Sequence, residues 1–355
     1  MLRTIAWFLF VAAHITLPVA SEPAAQRRVP QLELVAEWGC ESCAGAELIG
    51  SIEQVAVAPD GTVFVTDAHA PVVRRFGGGR ESVAFGREGQ GPGEFDLAWN
   101  IGIVDESTIE VVDIGLRRLT RLDFDGNLLS SRPLARFPTV ASYSPARGTW
   151  YMAAIDFRTG SATVMRLDDG SEEMVVAAGG DYPLDEDGEV AGFFPIAAAA
   201  DGRVAIGDGN VEYRARIYDR DGAVIGEVAR DIERLAKTDQ ELAAERQRRR
   251  GMTLRTVERA AAGGGAAPAP RIDPLKRHFH LNSFRYDQTG RLWVLTGRGN
   301  ETESIFDLFD AETTYLGELV VPGGVTRFAI RGPWLVTAAF SDAYYPIVQL
   351  WRVTE

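Results

Sequence analysis

A short pattern of strands and turns recurs along the chain, and it limits the fold more than any other feature. In "VAVAPDGTVFVTDAHAPVVRRF" (55–76) an apolar strand meets an Asp-Gly turn, a second strand, a polar turn and a third strand. The same plan recurs in "IGIVDESTIEVVDIGLRRLTRLDFDGNLL" (101–129) and in "IAAAADGRVAIGDGNVEYRARIYDRDGAVIGEV" (196–228). Residues 283–319 follow it with a different second turn, and 141–175 and 327–353 are weaker copies. Asp-Gly supplies the positive φ that tight hairpins need. Three or four short alternating strands per unit are the pattern of a propeller blade. Six units predict an all-β fold, a six-bladed β-propeller of four-stranded antiparallel blades. The last unit lacks a fourth strand, while "LELVAEW" (32–38) has no unit of its own. This segment is expected to complete the sixth blade and close the ring, leaving no free sheet edge there.

The stretch "GREGQGPGEF" (86–95), followed by a strand, "VVD" and "RLTRL", resembles NHL-repeat and related six-bladed propellers of exported bacterial proteins. The resemblance covers nearly the whole chain after the leader, except one insert. It implies the fold and little about activity, because propellers host many chemistries. The glycines of this stretch precede a strand rather than a helix, so no helix N-terminus is offered to a phosphate and nucleotide binding is not expected.

The N-terminus carries Arg3, an apolar run from Ile5 to Leu17, and Val19 and Ser21 as a −3/−1 cleavage pair. Residues 1–21 are therefore predicted to be a signal peptide, with an uncleaved anchor as the alternative. No cysteine sits at the cleavage site, so a lipoprotein anchor has no support, and no other stretch is expected to span a membrane. The expected product is periplasmic or secreted, with one domain over 32–355 interrupted by an insert at 229–277. A net charge of -13 argues against nucleic acid as a partner, because phosphate neutralisation needs basic patches.

The chain's two cysteines lie in "WGCESCAGAEL" (38–48), which aligns without a gap to "FGREGQGPGEF" (85–95). "CESC" thus falls in a loop leading into a blade's innermost strand. Ala44 stands where a c-type haem site needs histidine. No second ligand pair has zinc spacing, and no helix begins there to lower a thiol pKa. A Cys40–Cys43 disulfide stiffening the loop is predicted, with redox exchange as the alternative.

Asp67, Asp113, Asp156 and Asp208 end the second strand of the first four units, and Thr296 takes that place in the fifth. Such acids cap their own turns by accepting backbone N–H bonds; the alternative is a ring of oxygen ligands for a cation. His69 lies in a turn between second and third strands, and His278 and His280 lie in "KRHFHLNSF", before the fifth unit's inner strand. In a propeller these loops share one face. Phe279 matches Phe95, Phe137 and Phe194, so His280 stands where Asp96, Pro138 and Pro195 stand. Solvated histidines are one reading, and a metal or acid–base role for His69 and His280 is the other. The propeller resemblance implies a comparison with peptide-amidating lyases, which bind zinc through three histidines from different blades. Here two of the three share one loop, a departure from that arrangement. The acidic and amide metal site of gluconolactonase-like propellers has no matching motif.

The insert holds 12 Lys and Arg against 7 Asp and Glu, which is marked charge asymmetry in an acidic chain. Thr238 and Glu241 form a capping box that predicts a helix from about Asp239 to Arg250, and "GGGAAPAP" is a flexible linker. The insert is expected either to lie over the channel mouth as a basic lid for an acidic ligand, or to lie back on the acidic propeller.

The ligand-binding candidates on this face are His69, His278, His280, Arg298, Arg248 and Arg249. No nucleophile–base or acid pair is legible, so the leading expectation is a non-catalytic binding scaffold for a small ligand or protein. The competing expectation is a metal-dependent lyase or lactonase-like hydrolase. The residues predict no cofactor; zinc or calcium enters only with that second reading.

Overall fold

The structure is a computed structural model describing residues 29–354, apart from 136–137, 139, 145–147, 157–160, 170, 172–174, 182–193, 208–211, 247–271 and 342. The predicted signal peptide therefore lies outside the described residues. Among those described, no helix is long and apolar enough to cross a membrane.

Strand β1 (Gln31–Trp38) comes first. Blade 1 holds β2 (Ile52–Val57), β3 (Val63–Asp67), β4 (Val72–Phe76) and β5 (Val83–Phe85). Blade 2 holds β6 (Ala98–Ile103), β7 (Thr108–Asp113), β8 (Arg118–Asp123) and β9 (Leu128–Pro133). Blade 3 holds β10 (Val140–Ser144), β11 (Thr149–Asp156), β12 (Ser161–Leu167) and β13 (Val175–Asp181). Blade 4 holds β14 (Ile196–Ala198), β15 (Val204–Gly207), β16 (Arg214–Tyr218) and β17 (Val224–Ala229). The insert follows, with a helix α1 whose described part is 239–246. Blade 5 holds β18 (Phe279–Tyr286), β19 (Leu292–Thr296), β20 (Glu303–Phe309) and β21 (Tyr315–Pro322). Blade 6 holds β22 (Arg327–Arg331), β23 (Trp334–Phe340) and β24 (Pro346–Thr354).

Six four-stranded antiparallel sheets result, as the repeat predicts. The sixth has the order β1-β24-β23-β22, so the N-terminal strand supplies its outer edge, with Gln31 opposite Thr354 and Trp38 opposite Val348. The hairpins turn where the sequence places Asp-Gly. At the first, Asp60 accepts a bond from the Thr62 N–H at 2.9 Å and Gly61 takes φ +85°, which a side chain would resist.

The core is divided into six apolar clusters, one for each pair of neighbouring blades. Alternation along each strand sends one set of side chains to each neighbouring blade. The aromatic repeat seen in sequence fills these gaps: Phe95, Phe194 and Phe279 are fully buried. Tertiary packing thus runs around the ring, and the face holding the loops that enter the inner strands is free to vary.

Candidate functional site

The repeated aspartates build the loop face. Asp67 is fully buried and accepts bonds from the N–H groups of Gly50 (2.9 Å), Ser51 (3.0 Å) and His69 (3.0 Å). Arg74 pairs with it at 2.9 Å and reaches on to the carbonyls of Gly45 and Ala46. Asp113 repeats the pattern, accepting from Asp96 (3.0 Å), Leu97 (3.2 Å) and Leu116 (2.9 Å). Arg118 holds the carbonyls of Gln90, Gly91 and Glu94. These acids therefore cap their turns and also anchor the loop that enters their own blade. The side chain of Asp156 and the whole of Asp208 lie outside the described residues. Asp113→Asn keeps the shape but loses an acceptor beneath three donors. We expect a loss of about 2 kcal/mol, read by thermal melting, with ligand affinity unchanged.

Cys40 and Cys43 form the predicted disulfide, with Cα atoms 5.1 Å apart. The gapless loop alignment slips by one residue beyond it. It places Leu48 opposite Phe95, yet Leu48 is 44% exposed and Ile49 is the buried plug at 1%. Burial decides the register here: the Gly50 and Ser51 N–H groups must reach Asp67, as those of Asp96 and Leu97 reach Asp113.

Blade 5 departs from the pattern. Thr296 replaces the capping acid, and its hydroxyl donates to the Ile305 carbonyl at 2.9 Å. The acid reappears across the hairpin as Asp307, opposite Val294, the register slot that Arg74 holds opposite Val65 in blade 1. Fully buried, Asp307 receives Arg230 (2.6 Å), Arg298 (2.6 Å) and the Tyr213 hydroxyl (2.5 Å). Burial, with the Asp307 charge added, pushes the Tyr213 hydroxyl far above the ordinary value of 10, so it stays a donor. Arg298 also pairs with Glu318 at 2.5 Å, so this ligand candidate is a post of the blade 5 network. His278 is likewise buried, edge-on to Tyr213 at 5.6 Å between ring centroids.

The insert enters and leaves over this blade. Its two legs are bridged at Ala236 and Leu275, with Lys237 N donating to Pro274 O (2.8 Å) and Lys276 N to Leu235 O (2.7 Å). The capping box forms as predicted: Glu241 N donates to Thr238 Oγ1 (3.2 Å), and Thr238 N donates to Glu241 Oε2 (2.7 Å). Lys276 pairs with Glu241 (2.9 Å), Lys237 with Glu245 (2.5 Å) and Arg234 with Asp273 (2.5 Å). Lys276, Lys237 and Arg234 are thus paired with acids of the same insert, while Arg230, at its start, pairs with Asp307 of blade 5. Arg248 and Arg249, on which a basic lid depends, lie outside the described residues. Gly297 lets the returning leg lie close, since a Cβ there would stand 1.9 Å from the Arg277 carbonyl oxygen.

Between this foot and blades 5 and 6 is a cavity of about 730 Å³. The insert foot lines it with Lys237, Glu241 and Lys276, blade 5 with His280, Thr296 and Asn300, and blade 6 with Phe340 and Tyr344. The two aromatics are 51% and 66% exposed, and Tyr344 holds φ +60°. Neither the turn that follows Phe340 and carries Tyr344 nor the cavity is visible from motif spacing. Of the predicted histidines, His280 lines this cavity, and His278 does not. His69 is exposed on blade 1 and is not part of the wall. Among the described residues, no three His, Cys, Asp or Glu side chains are grouped to hold a metal.

No protein-family model matches the chain, so the NHL resemblance stays at the level of the fold. No curated protein matches it in sequence. A solved protein of Bacteroides fragilis, named as exported, is similar at 13% identity over 91% of this chain and 96% of its own, with a TM-score of 0.52. The PQQ-bound aldose sugar dehydrogenase of Streptomyces coelicolor is similar at 11% identity over 92% of this chain and 98% of its own, with a TM-score of 0.50. At such identities the likeness is one of fold, and that fold is the β-propeller.

Proposed function

We propose that the chain is an exported binding scaffold that takes a ligand or protein partner in the cavity between the insert foot and blades 5 and 6. The observation that carries this reading is the pair of exposed aromatics, Phe340 and Tyr344, on the wall of a cavity of about 730 Å³. Aromatic side chains presented to solvent beside a concave wall are efficient recognition groups, because they bury much area for little entropy. The apolar leader, the Cys40–Cys43 disulfide and the likeness to a protein named as exported support export. An acidic ligand would suit the basic composition of the insert, 12 Lys and Arg against 7 Asp and Glu.

A thermal-shift screen of organic acids, sugars and peptides tests the reading. Ligands found with the wild type should bind Phe340→Ala/Tyr344→Ala at least tenfold more weakly, with the unliganded melting point unchanged. Equal binding by the double variant would overturn it. Deleting 232–270 tests the insert in the same assay, and unchanged affinity would remove it from the mechanism.

His280 in the same wall favours one second reading, a metal-dependent lyase or hydrolase. About one equivalent of zinc or calcium retained through dialysis, and lost in His280→Ala, would put that reading first.

A further inference from the structure

The central channel opens, on the face opposite the insert, into a second cavity of about 560 Å³. Every blade contributes to its wall: Pro59, Gly102, Tyr143, Ala200, Gln288 and Pro333 come from blades 1 to 6 in turn. Much of the wall is aliphatic, with Val55, Ile101 and Ile330 upon it. The charged side chains on it are Arg285, Arg331 and Asp287. Asp287 is committed to its own hairpin: one oxygen accepts from Thr289 N, Thr289 Oγ1 and Arg291 N, and the other from Trp293 Nε1 at 3.0 Å. It does not neutralise the arginines.

Arg285 is left with little. Its Nη1 donates to the carbonyl of the preceding residue, Phe284, at 2.6 Å, and its guanidinium stands 5.5 Å from the centre of the Phe328 ring. A guanidinium carries five N–H donors, and no described carboxylate pairs with this one. The charge that acts on it most is Arg327, of the same sign. Burial and then that neighbour push Arg285 down to about 10. Arg327 itself is met by carbonyls, those of Glu53 (2.7 Å) and Thr326 (2.9 Å). Arg331 donates to the Ile103 carbonyl at 3.2 Å, and burial lowers it also. On the same wall the Tyr143 hydroxyl is buried without a hydrogen-bond partner. The chain is rich in Asp and Glu, yet among the described residues no carboxylate answers Arg285 in the channel. Arg285 is half-buried, and a cation partly withdrawn from water without a counter-charge is unfavourable unless an anion joins it.

We propose that this cavity binds a small organic monocarboxylate, whose carboxylate takes the Arg285 guanidinium and whose apolar body lies against Val55, Ile101 and Ile330. The planar fork of arginine matches a carboxylate through two parallel bonds. The aliphatic wall beside it favours an acid with a hydrocarbon body over an inorganic oxyanion, which would lose its water there without replacement. The site faces away from the insert and does not depend on the cavity proposed above for ligand binding.

Thermal unfolding of the full chain in hexanoate, benzoate, phosphate and chloride at equal ionic strength tests the proposal. Hexanoate or benzoate at about 100 times its dissociation constant should raise the melting point by about 5 °C relative to chloride. Phosphate should stay close to chloride. Arg285→Met should abolish the rise and melt no lower than wild type in chloride, because the isolated cation is gone. Arg285→Lys, which keeps a charge should the Met variant not fold, should bind about tenfold more weakly. Arg352→Gln, an exposed charge change on blade 6, should keep the full rise. A carboxylate response no larger than that of chloride overturns the proposal. So does a response that survives in Arg285→Met, or a phosphate response equal to that of hexanoate.

Discussion

Deleting residues 29–38 is expected to abolish cooperative unfolding. This segment includes β1, the outer strand of blade 6, paired along its length with β24. Its removal exposes β24 as a bare edge, and open edges invite pairing with other chains. It also strips apolar cover from two of the six wedges. Val29 and Leu32 pack on the cluster between blades 5 and 6, and Ala36 and Trp38 on the one between blades 6 and 1. Trp38 stacks on Phe76 of blade 1 with centroids 5.3 Å apart, so it joins the first and last blades directly. Burying large apolar side chains is worth about 1.5–3 kcal/mol each, and a whole domain has about 5–15 kcal/mol in reserve. Loss of several at once, with a full ladder of hydrogen bonds, should exhaust that reserve. Calorimetry should show a broad, early transition and light scattering should show association. A sharp transition within a few degrees of wild type would mean that three strands suffice for blade 6.

Asp307→Ala is the single substitution expected to do most damage. It removes the acceptor shared by Arg230, Arg298 and Tyr213 at a site with no solvent access. Breaking one side of a buried ion pair costs about 3–5 kcal/mol. Part of the loss is softened because Arg298 keeps Glu318 and Arg230 keeps the face of Tyr315, 4.0 Å from its ring centroid. The urea midpoint should fall with an unchanged slope. Combining Asp307→Ala with Arg298→Ala should cost less than the two single losses together, since they remove one shared interaction. Simple additivity would show that the pair does not act as a unit.

Much of this architecture is legible in the sequence because local rules write it. Asp60-Gly61 and its repeats need only two adjacent residues to specify a hairpin, and the unbroken apolar run Val55–Val57 marks a strand with two buried faces. The capping box of Thr238 and Glu241 is local too, and so is the Cys40–Cys43 loop. What escapes sequence reading depends on residues far apart in the chain. Tyr213 and Arg230 meet Asp307 only because blades 4 and 5 are neighbours, and the exchange of acid and base across the hairpin leaves no motif. The slip at Leu48 and Ile49 reflects a choice between two apolar residues that burial alone can make. The cavity joins the insert foot to the turn that carries Tyr344, two segments with no shared pattern. Periodicity places Arg285 on an inner strand but cannot reveal that no described carboxylate pairs with it.

The closure of the ring sets an order of events. The outer strand of blade 6, β1, precedes the other blade strands in the chain, and its partner, β24, follows them. Until β24 is available, the first strand has no ladder to join, so this contact of long sequence separation must wait for the five blades between them. A chain that stops before β24 therefore keeps β1 unpaired. That strand stays open to pairing with other chains, however well the middle blades have formed.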